Sequence, residues 1–299
     1  MLVLFLLALL GAASPEGGVD TRARAGPQDG SIPEEVQEIA RRVVGLSLAE
    51  RMKAISDPWV GLPYLLDGIG EGVAPDPDPP SRYDAFDCLS FVEEVLSLAW
   101  AGDPTGAPAV KEQLRYRGGV VKYENRRHFM DLEWVPENIA DGWFEDVTAQ
   151  YGQTHLVTKT VTPATWKAWK SRKRFLLTDA QLPIGTIAIP LLSLDAAAQA
   201  AATMEPGTLV LTVRRSRDYV PIVVTHLGFV IPPAKAGDVV RMRHCTKMGD
   251  MRVRDDRLAW YFEHLHDYSN WPVDGIQLLK PIERGPRRGA VALAPTATR

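Results

Sequence analysis

One cysteine stands where the sequence could support covalent catalysis. Cys88 opens the apolar, helically spaced segment FDCLSFVEEVLSLAWAG, and Asp87 before it is a candidate N-cap residue. A thiol in the first turn of a helix lies in the positive field of the helix N-terminus, so we expect a lowered thiol pKa and a nucleophilic sulfur. The same spacing suits a small core cysteine, because free cysteines are commonly buried. The periodicity alone favours the core interpretation, so the catalytic one depends on a partner base.

Two histidines are candidate partners of such a thiol. His226 lies within a predicted strand at 223–231, and His244 lies near the end of the next predicted strand at 239–246. On adjacent strands, one ring can accept the thiol proton while the other holds the first ring in place. Spacing alone does not distinguish this arrangement from two ordinary core or surface histidines.

The remaining cysteine and histidine patterns favour neither a disulfide nor a metal site. Cys245 follows His244 directly, so on a strand its side chain points to the opposite face, and we expect a packing residue rather than a disulfide partner for Cys88. The segment EHLH at 263–266 spaces its histidines two apart, which on a helix is a poor arrangement for one metal. No HExxH motif occurs, and we expect neither a metal nor an organic cofactor.

The elements that would position these residues predict a mixed helical and stranded domain. The 299 residues are 45% hydrophobic and 24% charged, which suffices for a core of normal size. Helix is predicted from Pro33 to about Leu46, over most of 84–138, and at 194–204, where Asp195 opens it. Strands are predicted at 207–213, 223–231 and 239–246. Helices first and antiparallel strands later indicate an α+β fold.

The two ends of the chain differ in composition from its middle. Residues 1–14, MLVLFLLALLGAAS, are typical of a signal-peptide core, so we expect export to the periplasm or the cell exterior. Residues 15–32 are predicted to be a disordered linker, 33–283 a single catalytic domain and 284–299 a disordered tail. No internal stretch is apolar for long enough to span a bilayer, so no integral membrane span is expected after signal removal.

A basic and aromatic segment at 114–134 could form a ligand surface. Its five Lys and Arg residues are interleaved with Tyr, Phe and Trp, which suits an anionic or sugar-bearing ligand and also single-stranded nucleic acid. The formal net charge of the chain is −3, and export is favoured, so we expect no nucleic-acid partner. A solvated surface loop explains the pattern about equally well.

The cysteine and histidine motifs resemble those of NlpC/P60-type papain-like cell-wall peptidases. FDCLSFV at 86–92 is similar to the D-C-[ST]-[GTS]-F-V element of that family. THLGF at 225–229 is similar to its H-[VA]-G strand, and GLPY at 61–64 to its G-x-P-Y element. His244 stands where the third polar residue of the family follows on the next strand.

The sequence more closely resembles one branch, the DUF1460 family of N-acetylmuramoyl-L-alanine amidase-like proteins. Elements similar to those of the branch occur in order over roughly residues 57–282: Val92-Glu93, Arg115-Tyr116 near Gly118, Arg126-x-His128, Trp134, Gly207 and the H-x-G-F strand. Two departures leave substrate preference open. HCT at 244–246 replaces an H-A-S element, and Leu89-Ser90 replaces two small polar residues.

The resemblance implies a papain-like α+β fold with the nucleophile helix packed on an antiparallel sheet. It implies cleavage of an amide bond in peptidoglycan or a muropeptide, with the muramoyl–L-alanine link favoured. The residues it implies are Cys88, His226 and His244 for catalysis, and Tyr64, Asp87, Arg126 and His128 around the oxyanion or substrate, the last two being equally explicable as structural. A stem-peptide endopeptidase, an acyltransferase and a catalytically silent wall-binding module are the alternatives. The sequence predicts no oligomeric state.

Overall fold

The computed structural model describes residues 30–283 except 236 and 269, so the predicted signal peptide, most of the predicted linker and the predicted tail lie outside the described residues. The described helices are α1 (Glu34–Arg42), α2 (Leu48–Ser56), α3 (Cys88–Ala101), α4 (Ala107–Arg115), α5 (Val135–Ala140), α6 (Pro163–Ala168), α7 (Leu194–Ala200) and α8 (Leu258–His264). The strands are β1 (Phe144–Asp146), β2 (Thr154–Val161), β3 (Gly185–Leu192), β4 (Leu209–Arg214), β5 (Val224–Ile231), β6 (Arg241–Cys245), β7 (Val253–Arg257) and β8 (Val273–Pro281). Within these residues, no helix has the length and apolar character that a membrane span requires.

All the strands belong to one antiparallel sheet. Its order is β2-β3-β8-β4-β5-β6-β7, and β1 pairs with β8. The last strand, β8, therefore lies between β3 and β4 at the centre of the sheet. The register pairs Thr212 of β4 with His226 of β5, and Phe229 of β5 with Arg243 of β6. The two candidate histidines consequently lie on neighbouring strands, as the sequence predicts.

Helices cover both faces of the central strands. Leu211 and Phe229 pack in the cluster that includes α3, whereas Val210 and Val230 pack with α7 and α8 on the opposite face. Successive side chains of a strand point to opposite faces, so a strand covered on both sides reads as a continuous apolar run. This explains the apolar segment at 207–213, and the predicted α+β fold with an antiparallel sheet is confirmed.

Helix α3 is buried on nearly all sides. Its apolar stripe faces the sheet, but the polar side that the periodicity leaves off the stripe is also covered. Glu93 accepts hydrogen bonds from Arg115 and from Trp134 Nε1, both at 2.8 Å, and Glu94 pairs with Lys111 at 2.6 Å. Buried carboxylates need such partners, because desolvation of an unpaired charge is costly. The helix that carries Cys88 is therefore fixed by packing and by ion pairs together.

Local patterns located three neighbouring strands but missed the others, including β8 at the centre of the sheet. The predicted strands coincide with β4, β5 and β6 within two residues, and helix 194–204 shortens to α7 with Ser193, not Asp195, as its N-cap. The strands that were not predicted are β1, β2, β3, β7 and β8. Strand β2 buries Lys159 between Val157 and Val161, and β7 reads VRDDR, so neither shows the apolar alternation on which a strand prediction depends.

Candidate active site

The Cys88 thiol lies against β5 at the start of α3. Asp87 caps the helix as predicted: its Oδ1 accepts from the Ser90 N–H at 2.7 Å, and Ser90 Oγ accepts from the Asp87 N–H at 2.9 Å. The half-buried Cys88 side chain directs its sulfur toward the backbone N–H of Leu227, the residue after His226. The fold thus brings the predicted nucleophile to the strand that carries the predicted base.

Two imidazoles and a carboxylate extend the site away from the thiol. His226 Nε2 lies 2.8 Å from His244 Nδ1, and His244 Nε2 lies 3.0 Å from Asp256 Oδ2. Asp256 is itself held by Arg254. His244 and Asp256 are buried, whereas His226 is half-buried. Because His244 occupies Nε2 of His226, Nδ1 is the ring atom that remains for a proton from the nucleophile.

Gly228 makes room for the paired imidazoles. A Cβ atom at this position would lie 2.6 Å from His244 Cβ and 2.7 Å from the Arg243 carbonyl oxygen, so only glycine fits. The glycine of the H-x-G-F motif is therefore a steric requirement of the second histidine. On the other side, Tyr261 packs edge-on against His244 with ring centroids 5.4 Å apart, and its hydroxyl forms a 2.8 Å hydrogen bond with Thr212.

Burial keeps Cys88 and His226 uncharged. Burial and the nearby Asp87 charge raise the pKa of Cys88 to about 12, although the backbone N–H groups around the sulfur oppose that shift. Burial lowers the pKa of His226 well below its ordinary value, and the adjacent His244 lowers it further. The lowered thiol pKa expected from the helix N-terminus is therefore wrong, because desolvation outweighs the amides. At neutral pH Cys88 is therefore a thiol and His226 a neutral imidazole.

Tyr64 and Asp87 border the thiol in different ways. Burial, with Cys88 and Asp87 nearby, raises the pKa of Tyr64, so its phenol stays protonated and can donate a hydrogen bond. Asp87 Oδ2 accepts from the backbone N–H of Asp67 at 3.2 Å, while its Oδ1 caps α3. Both carboxylate oxygens of Asp87 are thus occupied by structural contacts, and Tyr64 retains an available donor.

Arg126 and His128 line a cleft beside the thiol, but both are already engaged. Arg126 forms a bidentate pair with Glu71 at 2.8 and 2.6 Å and a second pair with Asp76 at 2.6 Å. His128 Nε2 lies 2.7 Å from the Tyr123 carbonyl oxygen, and burial lowers the His128 pKa to about 4. Neither side chain is a free cation for a substrate carboxylate.

The arginines of the basic segment 114–134 form an internal ion-pair network. The pairs are Arg115 with Glu93, Arg117 with Glu133 and Glu137, Arg126 with Glu71 and Asp76, and Arg127 with Glu137 and Asp141. Charges that neutralise one another inside the fold do not attract an anionic ligand. For these arginines, a structural network replaces both the expected ligand surface and the alternative of a solvated loop.

The cleft has a volume of about 260 Å³ and extends from the two sequence neighbours of Cys88 to an aromatic wall. Its lining includes Asp87 and Leu89 on either side of Cys88, and Trp169, Arg174 and Phe175 farther away. The rings of Trp169 and Phe175 stack at 5.5 Å with an interplanar angle of 27°. The Arg174 side chain is exposed and forms no ion pair with any residue of the described chain. This is the cation that the sequence patterns did not identify.

Cys245 is a packing residue, as predicted. It is buried on the face opposite His244, and its thiol donates to the Phe86 carbonyl oxygen at 3.0 Å. Cys88 and Cys245 are both free thiols. Across residues 30–283, apart from the two omitted positions, no group of three His, Cys, Asp or Glu side chains is arranged to hold a metal ion.

Comparisons with known proteins identify a family and similar folds. A model of the AmiA-like family, described as N-acetylmuramoyl-L-alanine amidase-like, matches residues 54–268. A Legionella pneumophila structure assigned to the family model DUF1460 is similar, with a TM-score of 0.72 and 21% identity over 84% of this chain and 95% of that one. An N-acetylmuramoyl-L-alanine amidase structure from Bacteroides uniformis has a TM-score of 0.61 and 18% identity over 78% of this chain and 98% of that one. The search of curated proteins found no match.

These comparisons carry different weight. At such identities the two structures show a shared fold, whereas the family match spans most of the chain. The matched range contains Cys88, both histidines and Asp256. The DUF1460 resemblance predicted from the motifs agrees with this match. The chain therefore belongs to the AmiA-like, N-acetylmuramoyl-L-alanine amidase-like family.

Proposed function

We propose that this protein is a cysteine-dependent hydrolase that cleaves an amide bond of peptidoglycan or a muropeptide, with the muramoyl–L-alanine link favoured. Family membership supports the amidase-like chemistry. One observation carries the cysteine mechanism: the Cys88 thiol lies at the His226–Leu227 peptide, and His244 holds the far nitrogen of His226. A papain-like, NlpC/P60-type arrangement is part of the proposal, supported by a nucleophile helix on an antiparallel sheet.

The uncharged centre determines how the attack proceeds. The Cys88 sulfur forms a bond to the carbonyl carbon while His226 Nδ1 accepts the thiol proton, so bond formation and proton transfer occur together. His226 then gives this proton to the amine nitrogen, the C–N bond breaks, and a thioester remains on Cys88. A water molecule attacks the thioester as His226 takes its proton, which then returns to the sulfur when the acid is released.

Two donors are available to the oxyanion that forms during attack. The backbone N–H of Cys88 belongs to the first turn of α3, where amides lack a helical acceptor. The protonated phenol of Tyr64 lies close enough to Cys88 for the two groups to interact electrostatically when the sulfur is ionised. Donors fixed before the reaction stabilise a developing negative charge without reorganisation.

The substrate binds in the cleft that is lined by the sequence neighbours of Cys88. Arg174 is the exposed, unpaired cation at this cleft, and the stacked Trp169 and Phe175 rings form its wall. A muropeptide carries carboxylates that a guanidinium binds well and sugar or peptide faces that pack on aromatic rings. We therefore move the substrate-carboxylate contact from Arg126 and His128 to Arg174.

The protein from Ser31 onward would be incubated with purified peptidoglycan and defined muropeptides, beside Cys88→Ala and the matched control Cys245→Ser. Mass spectrometry would then identify the products. Release of intact stem peptides from muramic acid by wild type and Cys245→Ser, but not by Cys88→Ala, is expected. Cleavage within the stem peptide would make the protein an endopeptidase with the same residues. Transfer of the acyl group to an added amine would favour an acyltransferase. No product from any variant would leave a wall-binding module.

Export to the periplasm or the cell exterior belongs to the same proposal. It depends on residues 1–14, which lie outside the described residues, and it suits a peptidoglycan substrate. Fractionation of cells expressing the full chain would test it, with an N-terminally truncated chain as control. Recovery of the full chain only from the cytoplasm would contradict it.

A further inference from the structure

We propose that Asp256 is a positioning residue that fixes the proton positions of both histidines, so that His226 presents an unprotonated Nδ1 to Cys88. The catalytic consequence rests on the proposed function. The proton order itself depends only on the hydrogen bonds of four buried or half-buried side chains.

The order begins at a carboxylate that can only accept. Arg254 donates to Asp256 Oδ1 from both Nε at 2.8 Å and Nη2 at 2.6 Å. These donors and His244 lower the pKa of Asp256 despite its burial, so the group is ionised at neutral pH. An ionised carboxylate has no proton to give. Its contact with His244, at 3.0 Å, therefore requires that His244 carry a proton on Nε2.

The proton position on His244 in turn determines the proton position on His226. Burial lowers the pKa of His244, so the ring is neutral and has one N–H group. With that proton on Nε2, its Nδ1 is an acceptor, and the 2.8 Å contact requires a proton on His226 Nε2. A neutral His226 then has a bare Nδ1. The reverse order would place the lone pair of His244 Nε2 against the carboxylate of Asp256.

Nothing else in the described surroundings competes for these nitrogens. Tyr261 meets His244 through its ring, at 88° between planes, and its hydroxyl bonds to Thr212 instead. His244 is 0% exposed and Asp256 is 4% exposed, so bulk water has little access to either. Asp256 is thus the group that sets the direction of the whole chain of hydrogen bonds.

The isosteric substitution Asp256→Asn tests the inference because Arg254 dictates which way the amide faces. Two Arg254 donors require the amide oxygen at the Oδ1 position, so the amide NH2 points at His244 Nε2. Each tautomer then reverses, and a protonated Nδ1 of His226 faces the thiol. Asp256→Ala removes the carboxylate acceptor without supplying a donor, so it favours neither tautomer of His244 and His226. Asp255→Asn is the matched control, because Asp255 lies on the other face of β7 and pairs with Arg243.

We expect kcat on a muropeptide to fall about 10²- to 10⁴-fold in Asp256→Asn, with little change in KM, by analogy with the reversed histidine of serine proteases. Asp256→Ala should lose less activity than Asp256→Asn, and Asp255→Asn should keep near-normal kcat. A purely structural side chain would give the opposite order, with Asn mild and Ala severe. That order, or an unchanged kcat in Asp256→Asn, would overturn the inference.

A second measurement does not depend on activity, and its wild-type arm does not require any variant to fold. Two-bond ¹H–¹⁵N correlation spectra of the labelled wild-type chain report which imidazole nitrogen of His226 carries the proton. We expect a protonated Nε2 and a bare Nδ1, and the reverse in Asp256→Asn. A protonated Nδ1 in the wild type would refute the inference whatever the enzyme does. The expected spectrum in a protein that cleaves nothing would instead refute the proposed function and leave the inference standing.

Discussion

The Cys–His site and the arginine network of residues 114–134 are two polar clusters that share helix α3, and they differ in whether their side chains are held in ion pairs. In the arginine network, Arg115 Nη1 pairs with Glu93 Oε2 at 2.8 Å inside the fold, so both charges are neutralised there. At the site, Nδ1 of His226 has no hydrogen-bond partner in the described chain, and the Cys88 sulfur is approached by backbone N–H groups and forms no ion pair there. Sequence patterns indicated a candidate functional site at each of the two clusters. Chemistry belongs to the cluster whose groups are held in place but remain available.

Removal of the nucleophile is expected to have the largest effect on activity. Cys88→Ala should lower amide cleavage by about 10⁴-fold or more, because the covalent step has no substitute. Loss of the thiol should leave the fold intact, since Asp87 still caps α3. Activity on a defined muropeptide and thermal unfolding would be measured together. A folded Cys88→Ala protein with substantial activity would contradict the assignment.

Substitutions in the arginine network should lower the stability of the protein and not its catalytic chemistry. Glu93→Ala leaves Arg115 buried and unpaired, so we expect the free energy of unfolding to fall by about 3–5 kcal/mol. Glu205→Ala is the control: the side chains of Glu205 and its partner Lys280 are 58% and 49% exposed, and we expect a loss of about 0–1 kcal/mol. Urea unfolding would measure both. Similar losses from the two variants would show that burial does not distinguish the pairs.

An intermediate effect is expected at the cleft that joins the two clusters. Arg174→Ala should raise KM for muropeptides with free stem carboxylates about tenfold with little change in kcat, because it removes a charge-assisted contact made alike in the ground and transition states. Amidation of those carboxylates in the substrate should abolish the difference between wild type and variant. If Arg126→Met raised KM in the same substrate-dependent way and Arg174→Ala did not, the carboxylate contact would return to Arg126.

The smallest effect is one of pH. His226 acts as a base only when neutral, and its pKa is well below the ordinary value, so kcat/KM should stay level as the pH falls through about 6.5, the usual histidine pKa. Activity should decline only at lower pH, where His226 becomes protonated. Circular dichroism at each pH would separate this limb from unfolding. An acid limb centred on the usual histidine pKa would indicate a solvated ring.

Sequence patterns predicted the parts of the site that local periodicity records. The start of α3, its Asp87 cap and the neighbouring strands of His226 and His244 follow from helical spacing, capping preference and strand alternation. Asp256 was not predicted, because β7 reads VRDDR and carries no apolar alternation. Its contact with His244 depends on how two strands pair, which spacing along the chain does not record.

The partners of the arginines were unpredictable for a related reason. Arg126 and Glu71 are 55 positions apart, and nothing in either local segment indicates the other. The thiol pKa was expected in the wrong direction because a helix N-terminus is visible in sequence, whereas desolvation depends on the packed structure. The insertion of β8 between β3 and β4 is likewise a property of the assembled sheet.

The most direct test of a cysteine-dependent amidase is the covalent intermediate itself. Wild-type protein would be mixed with a defined muropeptide, quenched in acid within one turnover and examined by intact-mass and peptide mass spectrometry, with Cys88→Ala and Cys245→Ser in parallel. We predict an acyl adduct on the peptide that contains Cys88, of a mass that includes the muramic acid sugar, in wild type and Cys245→Ser only. Turnover without any adduct on Cys88, or with equal rates in Cys88→Ala, would contradict the mechanism.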